Sequence, residues 1–416
     1  MPKMLQVYLG IKPQSFSAVK PFEVVNGLFG KPYDNLAMVS SSQIQSSAHT
    51  SADQMDQGDL ATHAVSTPKI LIVKLSSLGD VLHTLPIVWD LRKRLPHAQI
   101  DWIVEEAYVP LLKPLQTTKT FRGIDRVIPL AFRRWRQSLW SRRAWCEFFL
   151  MRQMLQSTRY DVILETQGLI KSALVCALAK KSDHAVVAGL GNATEYSGYE
   201  SLARWFYTQA VQVPKQCHAV DRARWVLCSA MDWPLIKREV ESPQFYPPGF
   251  MKQLPALPMS GLAELTGEPT APYVVCFHST ARAAKRWANE RWIDLGKALA
   301  QNGYRLVLPW GSPAERELSE SMARQIPGAI VPRAISIEEA YALIAHAALV
   351  VGVDTGLTHL AAVLGKPTVE IYCDSPKWKT EGYWSEHIIN HGDVQQAPMV
   401  SEVLSSCQRL MKMSSK

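Results

Sequence analysis

Residues 69–86 read KILIVKLSSLGDVLHTLP, and the order of apolar and turn residues there decides the class of fold. Lys69–Lys74 is a short apolar, partly β-branched run between polar ends, the pattern of a strand buried in a parallel sheet. Ser76-Ser77-Leu78-Gly79-Asp80 is a turn, and Val81–Leu95 carries a helical pattern. Asp80 therefore stands at the carboxyl end of a strand, where open α/β sheets hold their ligands. A carboxylate there has two readings: a general base, or a helix cap, since Asp is among the best N-cap residues.

Outward from this unit, strands and helices alternate. Strands are expected at Gln99–Val104, Arg126–Leu130, Asp161–Glu165 and Ala185–Leu190, and helices at Arg142–Ser157, Leu169–Lys181 and His218–Ala230. Such alternation predicts an α/β fold with a parallel, doubly wound sheet and right-handed crossovers. A Pro- and Gly-rich stretch, residues 246–270, reads as a linker. A second alternation follows: strands Tyr273–Phe277, Arg305–Pro309, Ala348–Val353 and Thr368–Tyr372, with helices Asn289–Gln301, Pro313–Gln325, Ser336–Ala345 and Leu357–Leu364. The expected domains are 68–245 and 271–398, with a terminal helix in 399–416. Two such halves predict a cleft between them, a preferred place for small-molecule chemistry. Residues 1–67 are polar and Ser-rich, and disorder is expected there.

The 416 residues suffice for two domains and a tail. With 47% hydrophobic and 20% charged residues the composition is globular, and no apolar run reaches the roughly 18 residues of a spanning helix. Residues 1–20 lack the apolar core and cleavage site of a secretory signal, so a cytoplasmic protein is expected. The seven cysteines are scattered without C-x-x-C or His/Cys clusters, which argues against a disulfide framework and a structural zinc site. A net charge of +8 points to an anionic partner: nucleic acid, a phosphorylated substrate or a membrane surface.

Chemistry-bearing residues gather just after strands. In HSTARAAKRW (278–287), Thr280, Arg282, Lys285 and Arg286 offer donors to a phosphate. Each charge-assisted bond is worth about 1.5–3 kcal/mol. In PWGSPAERE (309–317), Glu315 lies in a first helical turn, favoured there by the helix dipole or placed to accept bonds from a ribose or base. In VGVDTGLTHLAAVLGKP (351–367), a buried strand ends at Asp354-Thr355-Gly356; Gly356 allows close backbone approach, the next N–H groups would face an anion, and His359 lies one turn inside. His359 also reads as an ordinary core histidine. In AFRRWRQSLWSRRAWC (131–146), Arg133, Arg134, Arg136, Arg142 and Arg143 alternate with Trp135, Trp140 and Trp145. Arginine binds phosphate and carboxylate bidentately, and Trp suits a membrane interface; a solvated helix face is the bland reading. No nucleic-acid-binding motif accompanies the run.

Taken in order, KILIVKLSSLGDVLHTLP, RRWR, LETQGLIKSA, KRW, LPWGSP and VDTGLTHLAA resemble the bacterial lipopolysaccharide heptosyltransferases, in detail the type that adds the first inner-core heptose. The resemblance runs from about residue 68 to the C-terminus. It implies the GT-B architecture of two Rossmann-like domains, ADP-L-glycero-β-D-manno-heptose as donor, Kdo-lipid A as acceptor, and a metal-independent, inverting transfer forming an α-1,5 linkage. It implies Asp80 as base, Thr280 and Lys285 on the donor phosphates, Glu315 on the nucleotide, Asp354, Thr355, Gly356 and His359 around the donor sugar and diphosphate, and Arg133, Arg134 and Arg136 at the acceptor. Lys285 would also stabilise the departing ADP. No cofactor is implied, and the place of action is the cytoplasmic face of the inner membrane. The chain departs from that pattern at Ala281, where relatives carry a second Thr, and at Gln137, where a basic residue is common. Competing readings are a type II or other ADP-heptose-using core transferase, a GT-B-like sugar-nucleotide epimerase, and a non-catalytic nucleotide-binding protein.

Overall fold

The computed structural model describes residues 67–137, 141–250, 259–267 and 272–414. The expected disordered extension, apart from Thr67, lies outside them, as does Trp140.

The first half is a six-stranded parallel sheet built from β1 (Lys69–Val73), β2 (Gln99–Glu105), β3 (Arg126–Leu130), β4 (Tyr160–Glu165), β5 (Lys181–Leu190) and β6 (Gln209–Val211), in the spatial order β3-β2-β1-β4-β5-β6. The second half is a five-stranded parallel sheet of β7 (Tyr273–Phe277), β8 (Arg305–Val307), β9 (Leu349–Val353), β10 (Thr368–Tyr372) and β11 (Ile388–Gly392), ordered β11-β10-β9-β7-β8. These are the two common doubly wound orders, so the molecule has the two Rossmann-like sheets expected of GT-B. Each order reverses once, between β1 and β4 and between β7 and β9. Chain segments leaving those strands at their carboxyl ends part from one another and leave room for ligands.

Alternate residues of β1 go to opposite faces. Ile70 and Ile72 join Ile100, Trp102 and Val104 on one side, while Leu71 and Val73 join Ile103 and Ile128 on the other. The first of these clusters continues across the molecule to Val275, Phe277, Val350 and Leu360, so one apolar core serves both halves. Helix α1 (Leu78–Thr84) follows β1, and α2 (Pro86–Arg94) follows it directly. One helix was expected over Val81–Leu95. Pro86 has no N–H to continue the ladder, so the bonding breaks at Leu85 although that residue keeps helical angles (φ −53°, ψ −38°).

Helices α3 (Phe132–Gln137) and α4 (Arg142–Gln156) precede β4, α5 (Ile170–Leu178) follows it, and α6 (Ala219–Ala230) closes the half. Helix α5 stops short of the expected Lys181, which begins β5. A helix at Met259–Thr266 (α7) lies within the expected linker. The second half adds α8 (Asn289–Gln301), α9 (Pro313–Ala323), α10 (Ile337–His346), α11 (Gly356–Val363) and α12 (Val400–Ser414). Helix α12 is part of that half: Val403, Cys407 and Leu410 pack with Val351, Val353 and Ile371. Strands β6 and β11 were not expected. The first has three residues, and the second, IINHG, has only two large apolar residues and is half-buried at a sheet edge.

Candidate active site

The β1–α1 turn and the β9–α11 turn meet. A Cβ built on Gly356 falls 2.8 Å from Leu78 Cβ and 3.0 Å from Gly79 N, and one on Gly79 falls 3.3 Å from the His359 ring. Gly356 thus allows a close approach, as its sequence position suggested, but the backbone that approaches is the opposite half of this same chain.

Asp80 lies in the first turn of α1. Its Oδ2 accepts from the Ser77 N–H at 3.0 Å and the Ser77 hydroxyl at 2.8 Å. Its Oδ1 faces Arg222 Nη2 at 3.6 Å and Lys74 Nζ at 3.9 Å. The base and cap readings are therefore compatible, one oxygen serving the helix and the other meeting these two cations without a hydrogen bond among the described residues. Burial pushes the Asp80 carboxyl up, but Lys74, Arg222 and the Ser77 donors outweigh it and hold the group well below the usual carboxylate range. Lys74 is buried, donates to the Thr166 carbonyl, and is pushed down to about 8 by burial. The turn is clamped from β4: Gln167 Oε1 accepts from Leu75 N at 2.8 Å, and its amide donates to the Ser76 hydroxyl at 3.1 Å.

On the facing half, Asp354 ends β9 and is 8% exposed. Its Oδ2 accepts from Lys285 Nζ; its Oδ1 lies 2.9 Å from His359 Nε2 and accepts from the Thr380 hydroxyl at 3.3 Å. His359, 3% exposed, also places Nδ1 2.9 Å from Glu370 Oε1. Burial disfavours the charged ring, but Glu370 and Asp354 overcome it and raise the group to about 10. His359 and Lys285 hold Asp354 far below the carboxylate range against its own burial. Lys379, on the segment after β10, reaches across to the Tyr196 carbonyl of the first half at 2.5 Å. Burial, then Arg222, push it down to about 8, and its charge acts on both Asp80 and Asp354.

The sequence-expected residues are thus brought together unequally. Asp80, Lys285, Asp354, Thr355, Gly356 and His359 share one junction. His359 is buried, with both ring nitrogens engaged by acids of its own half. Thr280 and Glu315 sit at the ends of neighbouring β7 and β8, half-buried; Glu315 Oε2 accepts from Gly311 N at 2.8 Å and so braces its own turn. In the basic region Arg133 and Arg136 are exposed, Arg133 lying over the Tyr108 ring, whereas Arg134 is engaged by Glu106 and Glu147 at 2.8 Å each. Five residues of the junction escaped the sequence reading: Gln167, Arg222, Glu370, Lys379 and His83. Gln167 carried a local signal, the LETQGL stretch after a strand, and His83 lies one turn beyond Asp80 in α1; Arg222, Glu370 and Lys379 enter from elements distant in sequence from Asp80.

Residues 148–407 match the family model described as glycosyltransferase family 9 (heptosyltransferase). The chain is 35% identical over 336 residues to lipopolysaccharide heptosyltransferase 1 of Pseudomonas aeruginosa, covering 80% of this chain and 86% of that protein. It is 34% identical over 321 residues to the Escherichia coli K12 protein of the same name, covering 77% and 92%. The solved structure of the E. coli heptosyltransferase WaaC with ADP superposes with a TM-score of 0.66 at 30% identity, covering 82% of this chain and 99% of that one.

Proposed function

The chain belongs to glycosyltransferase family 9, the heptosyltransferases, and on that premise we propose that it transfers L-glycero-D-manno-heptose from ADP-heptose to the Kdo sugar of Kdo-lipid A in lipopolysaccharide core synthesis. The observation that carries the reading is the junction itself. A carboxylate on the first half, one oxygen of which makes no hydrogen bond among the described residues, faces a cation-bearing turn on the second, and four more cations or donors (Lys74, Arg222, Lys285, Lys379) surround them.

In the transfer, Asp80 Oδ1 takes the proton of the acceptor hydroxyl as its oxygen bonds to the anomeric carbon. The bond from that carbon to ADP breaks, and its electron pair leaves with the phosphate oxygen. Positioned base catalysis of this kind contributes about 10²–10⁴-fold. Lys285, the Asp354–Leu357 turn and Lys379 supply positive charge and N–H donors to the departing diphosphate, a preorganised electrostatic role that needs no metal. A base held so firmly ionised is weak until its cations find another anion. Lys74 and Arg222 suit the carboxylate of a sugar acid such as Kdo, and sharing them with the acceptor would raise the proton affinity of Asp80.

The acceptor is a lipid, and the surface beside the arginine cluster suits one. On α4, Trp145, Phe149 and Leu150 are 47%, 56% and 59% exposed, with Arg142 and Arg143 at the same end. Among the described residues no helix is long and apolar enough to cross a membrane. We place this helix against the anionic inner leaflet, where each Arg near the surface is worth about 1 kcal/mol.

Purified protein given labelled ADP-heptose and Kdo-lipid A should form heptosyl-Kdo-lipid A. Donor consumed without acceptor would make it an epimerase, binding without turnover a non-catalytic protein, and a requirement for already heptosylated acceptor a type II enzyme. Replacing Trp145 and Phe149 by Ser should abolish cosedimentation with phosphatidylglycerol vesicles while sparing transfer to a deacylated, water-soluble acceptor.

A further inference from the structure

Glu370 is fully buried within β10, and neither the family likeness nor the transfer chemistry gives it a task. A buried carboxylate is costly unless its lone pairs are met. Here they are: Oε1 faces His359 Nδ1 at 2.9 Å, while Oε2 accepts from the Tyr372 hydroxyl at 2.9 Å and Gly382 N at 3.0 Å. His359 in turn faces Asp354 Oδ1 at 2.9 Å, and Asp354 holds Lys285. We propose that Glu370 is a positioning residue for transfer, which keeps His359 doubly protonated so that the imidazolium anchors Asp354 and shares its charge with Lys285.

The geometry favours this protonation state. A neutral imidazole has one donor and one acceptor nitrogen, and its acceptor nitrogen would oppose a carboxylate lone pair at 2.9 Å. Only a ring with a proton on each nitrogen satisfies both acids. Asp354 is not placed to supply that proton instead, because its oxygens already accept from Lys285 and Thr380, and on Glu370 the two donors at Oε2, Tyr372 and Gly382, favour the ionised carboxylate. Two carboxylates, one imidazolium and one ammonium make a buried set with zero net charge. The other groups that face the ring are His83 of α1, 4.9 Å away between ring centroids, with Asp80 and His218 beyond it. His83 is buried, with Nε2 lacking a partner among the described residues, and burial holds it down to about 3; it stays neutral and does not compete for the proton.

The consequence falls on Lys285. With the imidazolium present, Asp354 is compensated from its own side, and the ammonium can turn toward a diphosphate. Were the ring neutral, Lys285 would be the one cation bonded to Asp354 and would be held back by it. This consequence rests on reading the Asp354 turn as the donor site.

The test has two arms. In the wild-type protein with its histidines labelled with ¹⁵N, the His359 ring should remain imidazolium up to pH 9; titration near neutrality overturns the proposal whatever the substrate. In Glu370→Gln, which keeps the shape and removes the charge, kcat/KM for ADP-heptose should be near wild type at pH 6 and lie at least tenfold below wild type at pH 8, an added inflection beyond that of the wild type. A uniform loss at both pH values would mean a merely structural role and overturn it. Tyr372→Phe, which removes one donor and leaves the charge, should keep the wild-type profile; the same inflection there would take the effect away from the Glu370 charge. If the wild type neither binds nor uses ADP-heptose, the proposed function fails, and the histidine titration still decides the protonation of His359.

Discussion

Two carboxylates leave the central strands of the two sheets, each beside a glycine turn, and the fold treats them in opposite ways. Asp80 has a side chain 36% exposed, and the cations nearest its Oδ1 stand off at 3.6 and 3.9 Å, beyond hydrogen-bond reach. Asp354 is buried, and both of its oxygens are bonded directly. Charge alone does not separate them, since both are held ionised. What separates them is the vacancy on one oxygen. A carboxylate with an unbonded lone pair can take a proton from an incoming hydroxyl. One with both oxygens engaged by close donors is placed to hold a neighbouring cation. On the proposed reading, similar turns at corresponding ends of two sheets become a base and an anchor through their neighbours.

The comparison breaks most visibly at Asp80. Asp80→Asn keeps an acceptor for Ser77, and so the helix start, but removes the base; turnover should fall at least 10²-fold with ADP-heptose affinity kept. Near-normal turnover would reduce Asp80 to a cap. On the anchored side, Lys285→Ala should cost about 10²-fold in kcat/KM for the donor, the scale of losing one preorganised charge-stabilising donor, and leave the acceptor KM unchanged. A change in the acceptor KM instead would place Lys285 on the wrong substrate.

The contact between the two turns gives a third effect. Gly356→Ala puts a methyl group 2.8 Å from Leu78 Cβ, close to backbone that cannot swing away. Overpacking there should cost about 1–3 kcal/mol, read as a lowered melting temperature, and should impair both substrates together. An unchanged melting temperature would mean that the halves do not meet as described.

The smallest effect is in pH. Lys74 and Lys379, both pushed down to about 8 by burial, lose their charge as pH rises through that value. Affinity for ADP should therefore fall by roughly three- to tenfold between pH 7 and 9, measured calorimetrically at constant ionic strength. A flat profile would take both lysines out of the ligand's field.

Much of this was legible in order along the chain. Tyr273–Phe277, Asn289–Gln301, Arg126–Leu130 and Thr368–Tyr372 begin and end where their patterns predict, because a strand buried on both faces or a helix with one apolar side writes its period into consecutive residues. Strand β6 wrote too little, three residues at an edge, and β11 has too few large apolar residues to show a period. The break at Pro86 was visible in the sequence and was overridden by the helical pattern around it.

The sequence by itself determined two parallel sheets, the strand ends where chemistry gathers, and the identities of Asp80, Lys285 and the Asp354 turn, since each lies within a few residues of the strand that presents it. Only the tertiary structure decided which oxygen of Asp80 stays open, that Gly356 is small for the sake of Leu78, that His359 is engaged by two acids, and that Arg222, Glu370 and Lys379 belong to the site. Those facts depend on contacts between residues as far apart as Asp80 and Arg222, or Tyr196 and Lys379. Local sequence sets φ, ψ and periodicity. The charge state and accessibility of a side chain depend on what folding packs against it, and no spacing along the chain encodes that.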